Sequence, residues 1–121
     1  LTTQRISLGK KGEDITVSFL RDKGYRIVTR NYRQKSGEID IICMDGYTYV
    51  FVEVKTRKTV QFGHPIEAVT RHKQHQISLT ALNYLSRNNL LDEPVRFDVI
   101  GVIWARTGPE ITHINGAFEA C

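Results

Sequence analysis

The sequence predicts a mixed α/β fold in the order helix, three strands, helix, two strands. Three observations carry that expectation. Two stretches hold apolar residues at helical spacing, an Asp-Gly pair separates two β-prone runs, and the second helical stretch stands between the third and fourth strands. Strands joined by tight hairpins run antiparallel, whereas a strand reached through a helix returns parallel. The expected sheet is therefore mixed, with its third and fourth strands as parallel neighbours. The crossover helix should be right-handed and cover one face, leaving the other face to the first helix.

The first helix is read from about Ser7 to Lys23, where Leu8, Ile15, Phe19 and Leu20 fall at helical spacing and Gly24 follows as a stop signal. Tyr25 to Tyr32 is rich in β-branched and aromatic residues and reads as the first strand. After the turn-like Gln34 to Gly37 comes the second strand, Glu38 to Cys43. The hairpin signal Asp45-Gly46 then leads into the third, Tyr47 to Lys58. The pattern loosens into a loop from Thr59 to Pro65. A second helix follows from about Thr70 to Arg87, with Ile77, Ala81, Tyr84 and Leu85 as its apolar stripe and Asn88-Asn89 beyond its end. Val95 to Ala105 reads as a strand, Gly108-Pro109 as a turn and Glu110 to Ile114 as a short last strand. No repeat or linker divides the 121 residues, so residues 1–121 are read as a single domain.

The formal net charge is +4, with 40% hydrophobic and 25% charged residues. That is ordinary globular composition and excludes disordered, collagen-like and coiled-coil chains. The charge is unevenly spread. Residues 1–60 hold 12 Lys and Arg against 7 Asp and Glu, while residues 61–121 hold 5 against 6. Arg21, Lys23, Arg26, Arg30, Arg33 and Lys35 crowd one stretch opposed only by Asp22, which suits either a polyanion-binding surface or a plain solvated face. Cys43 and Cys121 are too few for a disulfide framework, and no run approaches the roughly 20 apolar residues of a membrane span. The expectation is a cytoplasmic protein without a membrane partner.

The unusual charges are those inside strands. In the second strand, alternation sets Ile39, Ile41 and Cys43 on one face and Glu38, Asp40 and Ile42 on the other; in the third, Val50, Val52, Val54 and Thr56 oppose Phe51, Glu53, Lys55 and Arg57. A turn centred on Asp45-Gly46 makes paired positions sum to 91 and faces Glu53 with Glu38. A sum of 93 sets Asp40 opposite Glu53. Both registers leave Asp40, Glu53 and Lys55 on one face, where neighbouring acids repel unless something offsets their charge. A divalent cation does so, because Mg²⁺ prefers carboxylate oxygens and completes its shell with phosphate and water. Lys55 would then orient or activate the attacking water and steady developing negative charge. The plain alternative is a solvated sheet face of cross-strand Glu–Lys pairs, against which Phe51 and Ile42 on the same face argue burial.

Gly37-Glu38-Ile39-Asp40, eleven further residues and then Val52-Glu53-Val54-Lys55, in an αβββαβ order, resembles the PD-(D/E)XK nuclease superfamily. More closely, the chain resembles the YraN family of endonuclease-like proteins, relatives in fold of the archaeal Holliday-junction resolvases. That resemblance extends over Gly9 to Glu13, Arg30 to Arg33, Phe51 to Arg57, Phe62-Gly63, Glu67 to Thr70, Lys73-Gln74 and Arg96 to Val99. It implies a restriction-endonuclease-like fold and a metal site with Asp40 and Glu53 as ligands and Lys55 as catalytic lysine. It also adds Glu13 of the first helix to that site. The superfamily's Pro before the first Asp is absent, and Ile39 stands in its place, which leaves Glu38 open between ligand and supporting residue.

Further assignments follow from position. Stepping back from Ile77 puts Lys73 and Gln74 beside the sheet-facing stripe at the start of the second helix, near Glu53 and Lys55, where they suit water, phosphate or carboxylate contacts. The carbonyl of Val54, between the two charged residues, is a further metal ligand. Arg57 and Lys58, with Arg30, Arg33, Lys35 and Lys73, are phosphate contacts. His72 and His75 lack a third zinc ligand nearby, Cys43 is read as core, and Phe97 and Trp104 as packing residues. The expected activity is Mg²⁺- or Mn²⁺-dependent hydrolysis of DNA. By the resemblance, the substrate is branched, Holliday-junction-like DNA and the protein acts as a homodimer. Two other readings stay open: a non-catalytic nucleic-acid-binding protein that keeps the fold, and an RNA-directed nuclease.

Overall fold

A computed structural model describes residues 3–59 and 63–121, with residues 3–7 described for their backbone alone. The elements are α1 (Thr3–Asp22), β1 (Arg26–Gln34), β2 (Gly37–Asp45), β3 (Thr48–Arg57), α2 (Arg71–Arg87), β4 (Val95–Ala105) and β5 (Gly108–Phe118), with a 3₁₀ turn at Pro65–Ala68 before α2. The five strands lie in one sheet in sequence order, antiparallel except for the parallel pair β3 and β4. This is the expected mixed sheet. Phe62 and part of the Thr59–Pro65 loop lie outside the described residues.

Two apolar layers sandwich the sheet. On one face Val17 and Leu20 of α1 pack on Ile41, Cys43, Val50, Val52, Ile100 and Val102. On the other, Ile77, Ala81 and Leu85 of α2 pack on Ile39, Ile42, Phe51, Phe97 and Val99. Cys43 is core, as read, and burial pushes its thiol up to about 12, so it is inert at neutral pH. Phe97 stacks between Phe51 and Phe118, joining β3, β4 and β5.

Several expectations need correction. The second-to-third-strand turn centres on Gly46 and Tyr47 rather than Asp45-Gly46, because Gly46 takes φ 60 and can open a tight hairpin turn at its first central position. Gly108-Pro109 is not a turn. The chain reverses at Arg106-Thr107, and β5 begins at Gly108 and runs on past Ile114 to Phe118. A proline is tolerated there because β5 is an edge strand. Ile39 does not share a face with Ile41 and Cys43. Asn31, at φ 54, breaks the alternation of β1 between Arg30, which bonds α1, and Tyr32, which packs on Tyr84 of α2, and the paired residues Ile41 and Ile39 of β2 part in the same way. The buried stripe of α1 runs through Gly12, Thr16, Val17 and Leu20 rather than through Leu8 and Ile15.

A polar network ties the far end of the sheet together. Asp98 is fully buried and accepts from Arg96 Nε and Nη2 (2.9 and 3.0 Å), His113 Nε2 (2.7 Å) and the Gly116 N–H (3.0 Å). Arg96 also reaches Asp45 at 2.9 Å and the Tyr25 hydroxyl at 2.8 Å, linking β4 to the β2–β3 hairpin and to the α1–β1 corner. Burial alone raises the Asp98 pKa, but the bonds from His113, Arg96 and Gly116 outweigh it and hold the carboxyl below its ordinary value. A carboxyl depressed in the folded state contributes stability above its unfolded pKa and loses it as pH falls through the folded one. Asp98→Asn is therefore expected to cost about 3–5 kcal/mol at neutral pH, because Arg96 is left without its buried partner. Urea unfolding should show that difference shrinking as pH falls below about 5; a variant as stable as wild type at neutral pH contradicts the assignment.

Candidate active site

Strands β2 and β3 are paired only from Ile41–Val52 to Asp45–Thr48, a register in which positions sum to 93. Beyond Ile41 and Val52 they separate: β2 continues to Gly37 against β1, and β3 to Arg57 against β4. Asp40 is the first residue past the parting. Its Oδ2 accepts the Val54 N–H at 2.8 Å, so a side chain takes the donor that the neighbouring strand no longer satisfies.

Glu53 stands opposite Asp40 across the parting, on the α2 face, and its side chain is only 5% exposed. Lys55 Nζ lies 3.3 Å from Glu53 Oε2. Asp40 thus meets Glu53, and Glu53 meets Lys55, although β2 loses its regular alternation at this point. Burial, and then the charge of Glu53, push the Asp40 carboxyl up to about 8, against the lowering effect of the Val54 N–H; Glu13 adds a smaller raising effect. The two acids cannot both be ionised cheaply in this setting, and either a proton or a cation must relieve them.

Each helix adds to the site by a close approach. A Cβ on Gly12 would run into the Thr56 hydroxyl, so only glycine lets α1 press onto the end of β3 and bring the following Glu13 near Asp40. Glu13 Oε1 is also 3.4 Å from Arg30 Nη2. On the other face, α2 starts with Thr70 as N-cap, whose hydroxyl accepts the Lys73 N–H at 3.2 Å. Lys73 Nζ then reaches Glu53 Oε2 at 3.7 Å. Gln74, the other expected residue of that turn, donates instead to the Val69 carbonyl at 3.1 Å and braces the loop before the helix. Gly101, the sheet neighbour of Lys55, leaves room for the 3₁₀ turn: a Cβ there would meet Ile66, His64 and Pro65 at 3.1, 3.2 and 3.3 Å. His64 thereby stands beside the site, a placement its sequence position gave no signal for.

The proposed phosphate contacts divide. Lys35 in the β1–β2 turn and Arg57 and Lys58 at the end of β3 are exposed at the end of the sheet where the strands part. Arg33 is exposed there too, 3.4 Å from Glu38, which thus pairs across β1 and β2 rather than joining the acids. Arg30 is different. Its guanidinium is engaged by Asp14 at 2.7 Å and by Glu13, which holds it against α1.

Among the described residues no three His, Cys, Asp or Glu side chains are gathered as a ready-made metal cage. The carboxylates of Asp40 and Glu53 instead offer an incomplete set of hard oxygen donors. Such a set fits Mg²⁺ or Mn²⁺, which bind one or two carboxylates and complete their shells with water and phosphate.

Element order and strand topology are compatible with an αβββαβ nuclease-like α/β core. The chain belongs to the uncharacterised protein family UPF0102, whose pattern matches residues 12–102, in agreement with the resemblance to YraN proteins. It is 52% identical over 114 residues to a UPF0102 protein of Geotalea uraniireducens, covering 93% of this chain and 90% of that one. A UPF0102 protein of Geobacter sulfurreducens is 50% identical over 113 residues, covering 93% and 88%. Among the described residues no helix is long and apolar enough to cross a membrane.

A carboxyl raised in the folded state contributes stability below its unfolded pKa and loses it as pH rises through the folded one. Without divalent cations, stability should therefore fall between about pH 4 and about pH 8, by up to about 1.4 kcal/mol per pH unit for one proton. Urea unfolding in a chelating buffer checks this. Asp40→Asn should flatten the slope; an unchanged slope places the raised group elsewhere.

Proposed function

We propose that this chain is a Mg²⁺- or Mn²⁺-dependent endonuclease hydrolysing DNA phosphodiester bonds. The observation that carries the reading is the carboxylate pair Asp40 and Glu53 at the parted strands, with Lys55 3.3 Å from Glu53. Asp40, Glu53 and the Val54 carbonyl would hold the cation, with Glu13 adding charge from α1. When bound, a divalent cation polarises a phosphoryl oxygen and lowers the pKa of water.

The protein's own groups supply the rest. Lys55 is a quarter exposed, so its ammonium can serve Glu53 and still reach a phosphate, steadying negative charge as it develops. Lys35, Arg57 and Lys58, with Arg33, form a cationic rim at the same end of the sheet. Such groups grip the nucleic-acid backbone and set its register without reading bases. A branched substrate and a cytoplasmic homodimer are the resolvase-like form of the proposal; two symmetric cuts suit two identical sites.

A cleavage assay on linear, flapped and four-way DNA with Mg²⁺ or Mn²⁺ tests the reading. Asp40→Asn, Glu53→Gln and Lys55→Ala should each lower the rate on the order of 10²-fold or more while leaving duplex affinity within about threefold. Cutting that survives the two acid substitutions rejects the site. Binding without metal-dependent cutting of any substrate favours the non-catalytic reading instead.

A further inference from the structure

Glu53 holds two lysines. Lys55 from its own strand and Lys73 from the first turn of α2 approach the same oxygen, Oε2, at 3.3 and 3.7 Å. The two are not equivalent. Lys55 leaves the strand on Glu53's own face two residues on and is the less exposed, at 25% against 33% for Lys73. Lys73 comes from another element and makes the longer contact, so it is the partner whose release disturbs the sheet least.

While the Lys73 ammonium is drawn to Glu53 from another element, it is held back from a phosphate outside the site. A dication held by Glu53 competes for that oxygen and repels both ammonium groups at close range. Lys73 carries a compact charge on a flexible stem of four carbons, so a small rotation moves it from one acceptor to another. We propose that Lys73 is an exchangeable counter-ion: paired with Glu53 in the metal-free protein, it is released to the phosphodiester backbone when a divalent cation binds. This rests on the metal-dependent reading above. It makes the first turn of α2 the element that couples cation binding to nucleic-acid binding, and such coupling is reciprocal.

The consequence runs against the usual expectation for a lysine beside a metal site. Removing Lys73 deletes a competitor of the cation and a partner of the phosphate together. Titration of Mn²⁺ into the metal-free full chain by calorimetry should show Lys73→Ala binding roughly three- to tenfold more tightly than wild type, with Lys73→Arg near wild type. Binding of a duplex oligonucleotide at several salt concentrations supplies the second measurement. With Ca²⁺ present, the log–log salt slope of Lys73→Ala should be smaller than wild type by about one, and without divalent cations the two slopes should coincide. Mn²⁺ affinity that depends on Asp40 but not on Lys73 overturns the exchange alone, as does a slope difference of the same size in the absence of metal. Wild-type protein that binds no Mn²⁺, or binds it equally after Asp40→Asn, overturns the metal reading and the exchange with it.

Discussion

The bond from the Val54 N–H to Asp40 Oδ2, 2.8 Å long, marks the point on which the site depends. Two antiparallel strands that stayed paired would satisfy Val54 with backbone and leave no room for acids between them. Here β2 and β3 end their ladder at Ile41 and Val52, and each keeps its outer partner. The parting strands give Asp40 a backbone donor to bind and bring it beside Glu53. Burial then makes that proximity costly, because two carboxylates in a shared low-dielectric setting resist joint ionisation. The resulting demand for positive charge is what the surrounding lysines answer and what a dication would answer more fully.

Everything else in the fold holds that parting in place. The layer under α1 and the layer under α2 meet the sheet on opposite faces, and both helices reach the same end of β3. Gly12 allows α1 to touch Thr56, Thr70 starts α2 so that Lys73 faces Glu53, and Gly101 lets the 3₁₀ turn rest beside Lys55. At the other end, Asp98 and Arg96 lock β4 to β5 and to the β2–β3 hairpin. One end of the sheet is pinned by a dense polar network, and the other is opened around two neighbouring acids whose charges repel.

Much of this was legible in the residues. Hydrophobic alternation placed Glu53 and Lys55 on Phe51's face, the helix between strands implied the parallel pair, and of the two registers considered the one that sets Asp40 opposite Glu53 is the one formed. The mid-strand acids were conspicuous because burial of like charges has few structural uses. Other features depend on single backbone torsions or distant partners that no local pattern encodes. Asn31 at φ 54 sends Ile39 to the opposite face from Ile41, and nothing in the alternation marks it. Arg30 read as a phosphate contact because charge counts do not reveal that Asp14, 16 positions earlier, lies one helix away. The same blindness hid the link between Arg96 and Asp45, which are 51 positions apart.

The proposed activity rests on Asp40 and Glu53 holding a divalent cation together. Anomalous diffraction from crystals grown with Mn²⁺ tests it most directly. The account predicts a peak about 2.1 Å from carboxylate oxygens of both residues, with Lys73 turned away from Glu53. Full-occupancy Mn²⁺ bound elsewhere, with the pair still carrying only its lysines, would contradict it.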